Sequence, residues 1–203
     1  MSVTSPLIEP PSAHPPPYPV RQFSVAEYHR LGEAGVLAED EPVELLEGWI
    51  VPKMMRNPPH DATIELVEAA LRPRLPEGWR VRVQSAVTTL DSEPEPDLVV
   101  VRGGVRDYLD HHPGPGDVAL VVEVADSSLE RDRQKLRLYA RAGIPVVWIV
   151  NLVEFRVEVY NEPDAAAAAP HYGGQESYTA DDTVPLLVGG KQIASIPAAE
   201  LLP

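Results

Sequence analysis

Three acids stand where acids are expensive. Glu123 lies inside the apolar run Leu120–Val124, Asp97 follows Pro96 and opens Leu98–Val101, and Glu44 sits within VELLEGWIV. A carboxylate carried into a core costs free energy unless a cation, a metal or several hydrogen-bond donors compensate it. Two carboxylates on neighbouring strands would make a hard, all-oxygen site. That site suits Mg²⁺, with Mn²⁺ as its substitute, held by one or two carboxylates plus water and substrate phosphate. Such an ion lowers the pKa of a bound water and stabilises charge developing on phosphate. A nearby ammonium would position the attacking water or stabilise the pentacovalent charge. Lys135, in the stretch just after Glu123, is one of only three lysines.

Each of these residues also has an inert reading. Glu123 could end a strand and face solvent or an arginine, and Asp97 could be a turn residue after proline. Lys135 shares a helical face with Arg131 and Leu138 and could snorkel to water. Glu47-Gly48 has turn chemistry. His60 precedes a helical stretch, as a residue next to the helix cap, a phosphate contact or a metal neighbour.

These side chains must be held by elements that the pattern predicts. Ser24 with Glu27 has capping-box spacing and starts a helix through Tyr28 to Gly32. Val43–Val51 reads as a strand pair, or a strand with a turn at Glu47-Gly48. From His60 to Leu71 the apolar residues recur at helical spacing. Arg80 to Leu90 alternates as one strand, and Leu98–Val101 and Val118–Val124 are two more. Ser127 or Ser128 caps a helix that Gly143 stops, and Val146–Val150 is a buried strand. The step from Val118–Val124 through that helix to Val146–Val150 is a β-α-β unit, whose apolar strands imply parallel neighbours covered on both faces. Phe155–Tyr160 alternates as a further strand. Residues 163–170, with their alanine run, read as a loop. Val184–Leu202 reads as a hairpin turning at Gly189-Gly190 plus a short end. Residues 1–20, dominated by proline, read as an extended or disordered arm. Residues 21–203 read as a single domain.

Composition limits the partners. No apolar run is long enough to span a bilayer. The N-terminal stretch has neither the basic start nor the apolar middle of a secretory signal, so the expected compartment is the cytoplasm. Cysteine is absent, so any metal is bound through oxygen or imidazole. The net charge of −14 works against nucleic-acid binding unless the basic residues gather on one face. They gather in sequence as Arg72, Arg74, Arg80 and Arg82, and again as Arg131, Arg133, Lys135, Arg137 and Arg141. Both groups read equally as solvated faces or as phosphate contacts.

The ordered motifs resemble a known family. VELLEGWIV, the histidine before the first long helix, EPEPDLVVV, LVVEVADSS, DRQKLRLYARAGIPVVWIV and RVEVY together are similar to the Uma2 family, grouped with restriction endonucleases in the PD-(D/E)XK nuclease superfamily. The resemblance covers about residues 21 to 162. It implies an α/β (α+β) fold with a central mixed sheet flanked by helices, and Mg²⁺-dependent hydrolysis of DNA phosphodiesters. It makes Glu44, Asp97 and Glu123 the acidic ligands. The superfamily pattern has a lysine two residues after the second acid, where this chain has Ala125. The resemblance moves that lysine to the next helix, as Lys135, with Arg133 the alternative there. His60, Gln84 and Arg133 are then candidates for supporting the ligands or contacting phosphate. With one site per chain, cutting both strands would favour a homodimer. Two other classes compete: a catalytically inert binding protein on the same fold, favoured by the acidity and by Ala125, and an acid-pair hydrolase of sugars stacking on Trp49 or Trp79.

Overall fold

The computed structural model describes residues 19–38 and 40–203, so the proline-rich arm expected over residues 1–20 lies almost wholly outside the described residues. Helix α1 (Val25–Glu33) begins at Ser24. Its hydroxyl accepts the Glu27 amide, and the Glu27 carboxylate accepts the Ser24 amide. The hairpin β1 (Val43–Leu46) and β2 (Trp49–Pro52) turns at Glu47-Gly48, both at positive φ. Helix α2 (Pro58–Leu71) follows, with Asn57 as its cap and proline at its first turn, where the missing amide costs no helical bond.

The centre is a six-stranded mixed sheet. Its strands are β3 (Trp79–Val83), β4 (Leu98–Arg102), β5 (Val118–Ala125), β6 (Val146–Asn151), β7 (Arg156–Asp164) and β8 (His171–Tyr178), in that spatial order. β5 and β6 run parallel, and helix α3 (Leu129–Ala142) crosses between them. The other neighbours are antiparallel. The hairpin β9 (Thr183–Val188) and β10 (Lys191–Pro197) turns at Gly189-Gly190.

Alternation along the strands divides the core. Leu98, Val100, Leu120, Val122, Trp148 and Val150 pack with α2 and the β9–β10 hairpin. Val99, Val101, Val121, Val147, Ile149 and Tyr160 pack beneath Leu138 and Tyr139 of α3. Every residue of β5 is buried, as expected for a strand covered on both faces. No helix among the described residues is long and apolar enough to cross a membrane.

Two expectations need correction. The strand foreseen over Arg80 to Leu90 ends at Val83, because Gln84 takes φ 45° and turns the chain. Residues 84–97 then form a loop held by the Glu93 amide on the Leu45 carbonyl at 2.7 Å and the Val87 amide on the Pro94 carbonyl at 3.0 Å. The apparent alternation came from loop residues that pack inward, Val87 and Thr89 among them. The loop foreseen over 163–170 is shorter: β7 runs through Asp164, and the alanines turn it into β8, a strand that the pattern missed.

Candidate active site

The sheet register brings the acids together. Leu98 pairs with Val122 and Val99 with Val121. One further step sets Asp97 opposite Glu123, and alternation turns both toward α3. Asp97 Oδ2 accepts the Val124 amide at 2.8 Å, so the aspartate ends the β4–β5 ladder. On the β3 side, the Gln84 amide donates to the Asp97 carbonyl at 2.9 Å. Gln84, Asp97 and Glu123 thus form one row on the wall of a cleft of about 470 Å³, which Glu44, His60 and Lys135 also line.

Helix α3 supplies the opposite wall. Ser128, Arg131, Asp132 and Lys135 face the cleft at helical spacing, and Tyr139 continues the stripe inward. Lys135 does not snorkel. Its side chain is 8% exposed, and its ammonium lies 3.3 Å from Glu123 Oε1 and 3.4 Å from Glu44 Oε1. Burial works to discharge it, but Glu123, Glu44, Asp132 and Asp97 outweigh burial and hold it protonated above its ordinary range. Tyr139 donates its hydroxyl to Glu123 Oε1 at 2.6 Å. Burial pushes the Glu123 carboxyl up to about 8, against the pull of Lys135. Burial also raises Asp132, to whose Oδ2 Ser128 donates at 2.5 Å. Ser128 therefore stands at the N-cap of α3 without giving its side chain to the helix amides.

Glu44 approaches from β1. Its Oε1 takes Arg131 at 3.1 Å as well as Lys135, and its Oε2 accepts the Glu95 amide at 3.2 Å. Both Glu44 oxygens are thus committed to this chain's own donors. His60 is set by the start of α2: the Asn57 side chain accepts the His60 amide at 3.1 Å and donates to Asp126 at 2.6 Å. The His60 ring faces Asp97, Nε2 to Oδ2 at 3.3 Å, while its buried Nδ1 makes no hydrogen bond and lies 3.5 Å from Asp61 Oδ1. Burial favours the neutral ring, but Asp97 and Asp61 outweigh it and raise the His60 pKa. Arg133 lies elsewhere, paired with Glu158 at 2.6 Å under a different part of α3.

Among the described residues no group of three His, Asp or Glu side chains is placed to hold a metal ion by itself. The donor set on offer is smaller. Asp97 Oδ1 and Glu123 Oε2 make no hydrogen bond to the described residues, and neither is a fully buried orphan. Two carboxylate oxygens with room for water fit Mg²⁺, which keeps much of its hydration. Sequence reasoning missed Arg131, Asp132 and Tyr139 as parts of the site. The signal was available in their spacing of three to four residues from Lys135 on one amphipathic helix.

The model of the Uma2 family, described as putative restriction endonuclease, matches residues 25–193. The chain belongs to the Uma2 family. Its fold is similar to the crystal structure of a putative nuclease belonging to DUF820 from Anabaena variabilis, at 17% identity and a TM-score of 0.61. That match covers 88% of this chain and 97% of the other. No curated protein matches. The α/β architecture expected from the family resemblance, a central mixed sheet flanked by helices, is the observed one.

Proposed function

We propose that this Uma2-family chain is a Mg²⁺-dependent endonuclease that hydrolyses DNA phosphodiesters at the cleft between β4, β5 and α3. One observation carries this reading: Asp97 and Glu123 stand side by side on neighbouring strands, each with an oxygen free for a cation, and a buried ammonium lies beside them. Asp97 and Glu123 are the ligands. Mg²⁺ bound there would acidify a water and offset charge on the phosphate.

The chain's own groups do the rest. Lys135 lies 3.3 Å from Glu123 and 3.4 Å from Glu44, a setting that favours the ammonium and hence the role of donor. It donates hydrogen bonds that orient the attacking water and stabilise negative charge at phosphorus. Glu44, notionally a third ligand, works better as the anchor of Lys135, because its oxygens are taken by Arg131, Lys135 and the Glu95 amide. His60 can donate from Nε2 toward a phosphate oxygen once it leaves Asp97. Lys135 on the helix thereby occupies the role for which the superfamily pattern has a lysine at the position of Ala125.

The test is cleavage of supercoiled plasmid in Mg²⁺ or Mn²⁺. Wild type should nick or cut, and Asp97→Ala should reduce the rate by roughly 10³-fold. Equal degradation by both proteins would assign the activity to a contaminant. The competing reading, an inert binding protein on this fold, draws on the self-neutralised Glu44 and on the lack of a three-ligand cluster. It predicts a melting temperature indifferent to Mg²⁺ and Mn²⁺.

A further inference from the structure

The first of the two basic groups of the sequence divides in the fold, and the second does not. Arg72 and Arg74 pair with Glu68 and Glu200. Arg131, Arg133, Lys135, Arg137 and Arg141 all pair with carboxylates. Arg80 and Arg82 make no ion pair among the described residues, although acids outnumber bases in this chain. Each has a buried Nη1 with no hydrogen-bond partner.

Their position is as informative as their lack of partners. β3 is an edge strand of the sheet. Arg80 pairs in register with Val101 and Arg82 with Val99, so both guanidinium groups rise on the face that carries Asp97. Arg82 is two residues before Gln84, one row of roughly 7 Å from the Gln84–Asp97–Glu123 line. Tyr108 braces it, with the Arg82 guanidinium 5.3 Å from the ring centre. Tyr108 also walls a second cleft, with His111 packed edge-on at 5.7 Å.

Holding two like charges side by side, half buried, disfavours the native state unless an anion arrives. Burial and the charge of Arg80 both work against the charged form of Arg82. A guanidinium offers forked donors that match phosphate oxygens, and a tyrosine beside it gives a base a face to stack on. On so acidic a surface, an unpaired cationic strip is a place where a polyanion can approach without repulsion.

We propose that Arg80 and Arg82, braced by Tyr108, form a phosphate track along the β3 edge that binds the DNA backbone next to the cleaved bond. This assignment rests on the nuclease reading for its substrate.

The test is binding of a fluorescein-labelled DNA oligonucleotide, single- and double-stranded, to the full chain in EDTA over a range of salt. Arg80→Gln/Arg82→Gln should weaken binding about 10-fold, and the slope of log affinity on log salt should fall by roughly 0.7–0.9 for each lost contact. Arg72→Gln removes a cation at the C-terminal cap of α2, already paired with Glu68, and should leave the slope unchanged. A wild-type slope in the double variant, an equal loss in Arg72→Gln, or no binding by wild type overturns the track. Should the double variant melt too low to assay, hydrogen exchange of wild type with DNA decides. Protection over residues 79–83 supports the track, and protection confined elsewhere overturns it. Binding through the strip without cleavage would sink only the nuclease reading, and cleavage with an unchanged slope would sink only the track.

Discussion

Glu123 and Glu158 occupy one cross-strand row of the same sheet, separated by Ile149 of β6, and α3 covers both. They are 3% and 1% exposed. Their surroundings differ. Glu158 takes Arg133 and Asn151 on Oε1 at 2.6 and 2.8 Å, and Arg133 and Tyr160 on Oε2 at 3.3 and 2.6 Å. Burial raises its pKa, but those hydrogen bonds outweigh burial and hold the carboxylate below its ordinary range. Glu123 takes Tyr139 and Lys135 on one oxygen and leaves the other to the cleft, and burial keeps it high. Burial alone therefore does not mark a reactive carboxylate. Under the proposed function the mark is incomplete satisfaction: Glu123 keeps one oxygen that neither Lys135 nor Tyr139 takes.

Substitution breaks this comparison most sharply. Glu123→Gln should lower plasmid cleavage by roughly 10³-fold while leaving the protein folded. Its melting temperature at pH 8.5 should equal or exceed that of wild type, since the amide carries no charge to bury and Lys135 keeps Glu44 as its counter-ion. A variant that melts early would make Glu123 a structural residue like its neighbour. Glu158→Gln should do the reverse. It leaves donors of Arg133, Tyr160 and Asn151 short of an acceptor, a loss of about 1–3 kcal/mol read by urea denaturation, with cleavage per folded molecule retained.

Metal should separate the pair next. Mg²⁺ at a hundred times its dissociation constant should stabilise wild type and Glu158→Gln by about 2.7 kcal/mol, and Glu123→Gln by much less. Equal stabilisation of all three would put the ion elsewhere. The smallest effect is in pH. The folded pKa of Glu123 is raised, so its contribution to stability is complete below the ordinary carboxylate range and is lost as pH rises through about 8. The Glu123→Gln advantage should thus grow from pH 5 to pH 9. The folded pKa of Glu158 is lowered, so its contribution is present above the ordinary range and is lost as pH falls below it. The deficit of Glu158→Gln should shrink in acid. Melting curves from pH 3 to 9 would read both slopes, and parallel slopes would end the distinction.

Much of the fold is legible in the sequence. The capping box of Ser24 and Glu27, the β1–β2 and β9–β10 turns and the β-α-β unit all rest on local signals, which neighbouring residues decide. β8 was not legible. His171–Tyr178 is polar, holds two glycines and buries no residue fully, so its pairing with β7 rather than its composition makes it a strand. The acids drew attention because charge in an apolar run demands a reason. The phase of α3 could not be read from spacing alone. Only the packed helix separates Lys135, over Glu123, from Arg133, over Glu158.

The rungs between β4 and β5 have a consequence for how such a site changes over time. Leu98, Val99 and Val100 pair in regular register, and the bulge that absorbs the extra residue of β5 lies beyond them, between Val100 and Val101. A residue gained or lost on the far side of that bulge can be taken up there. A residue lost within the three rungs would turn Asp97 to the opposite face of the sheet, among the side chains that α2 covers. Under the proposed function, the chemistry can therefore be erased by a single deletion but cannot drift along the strand by degrees, and lineages should show the acid pair either intact in its row or gone.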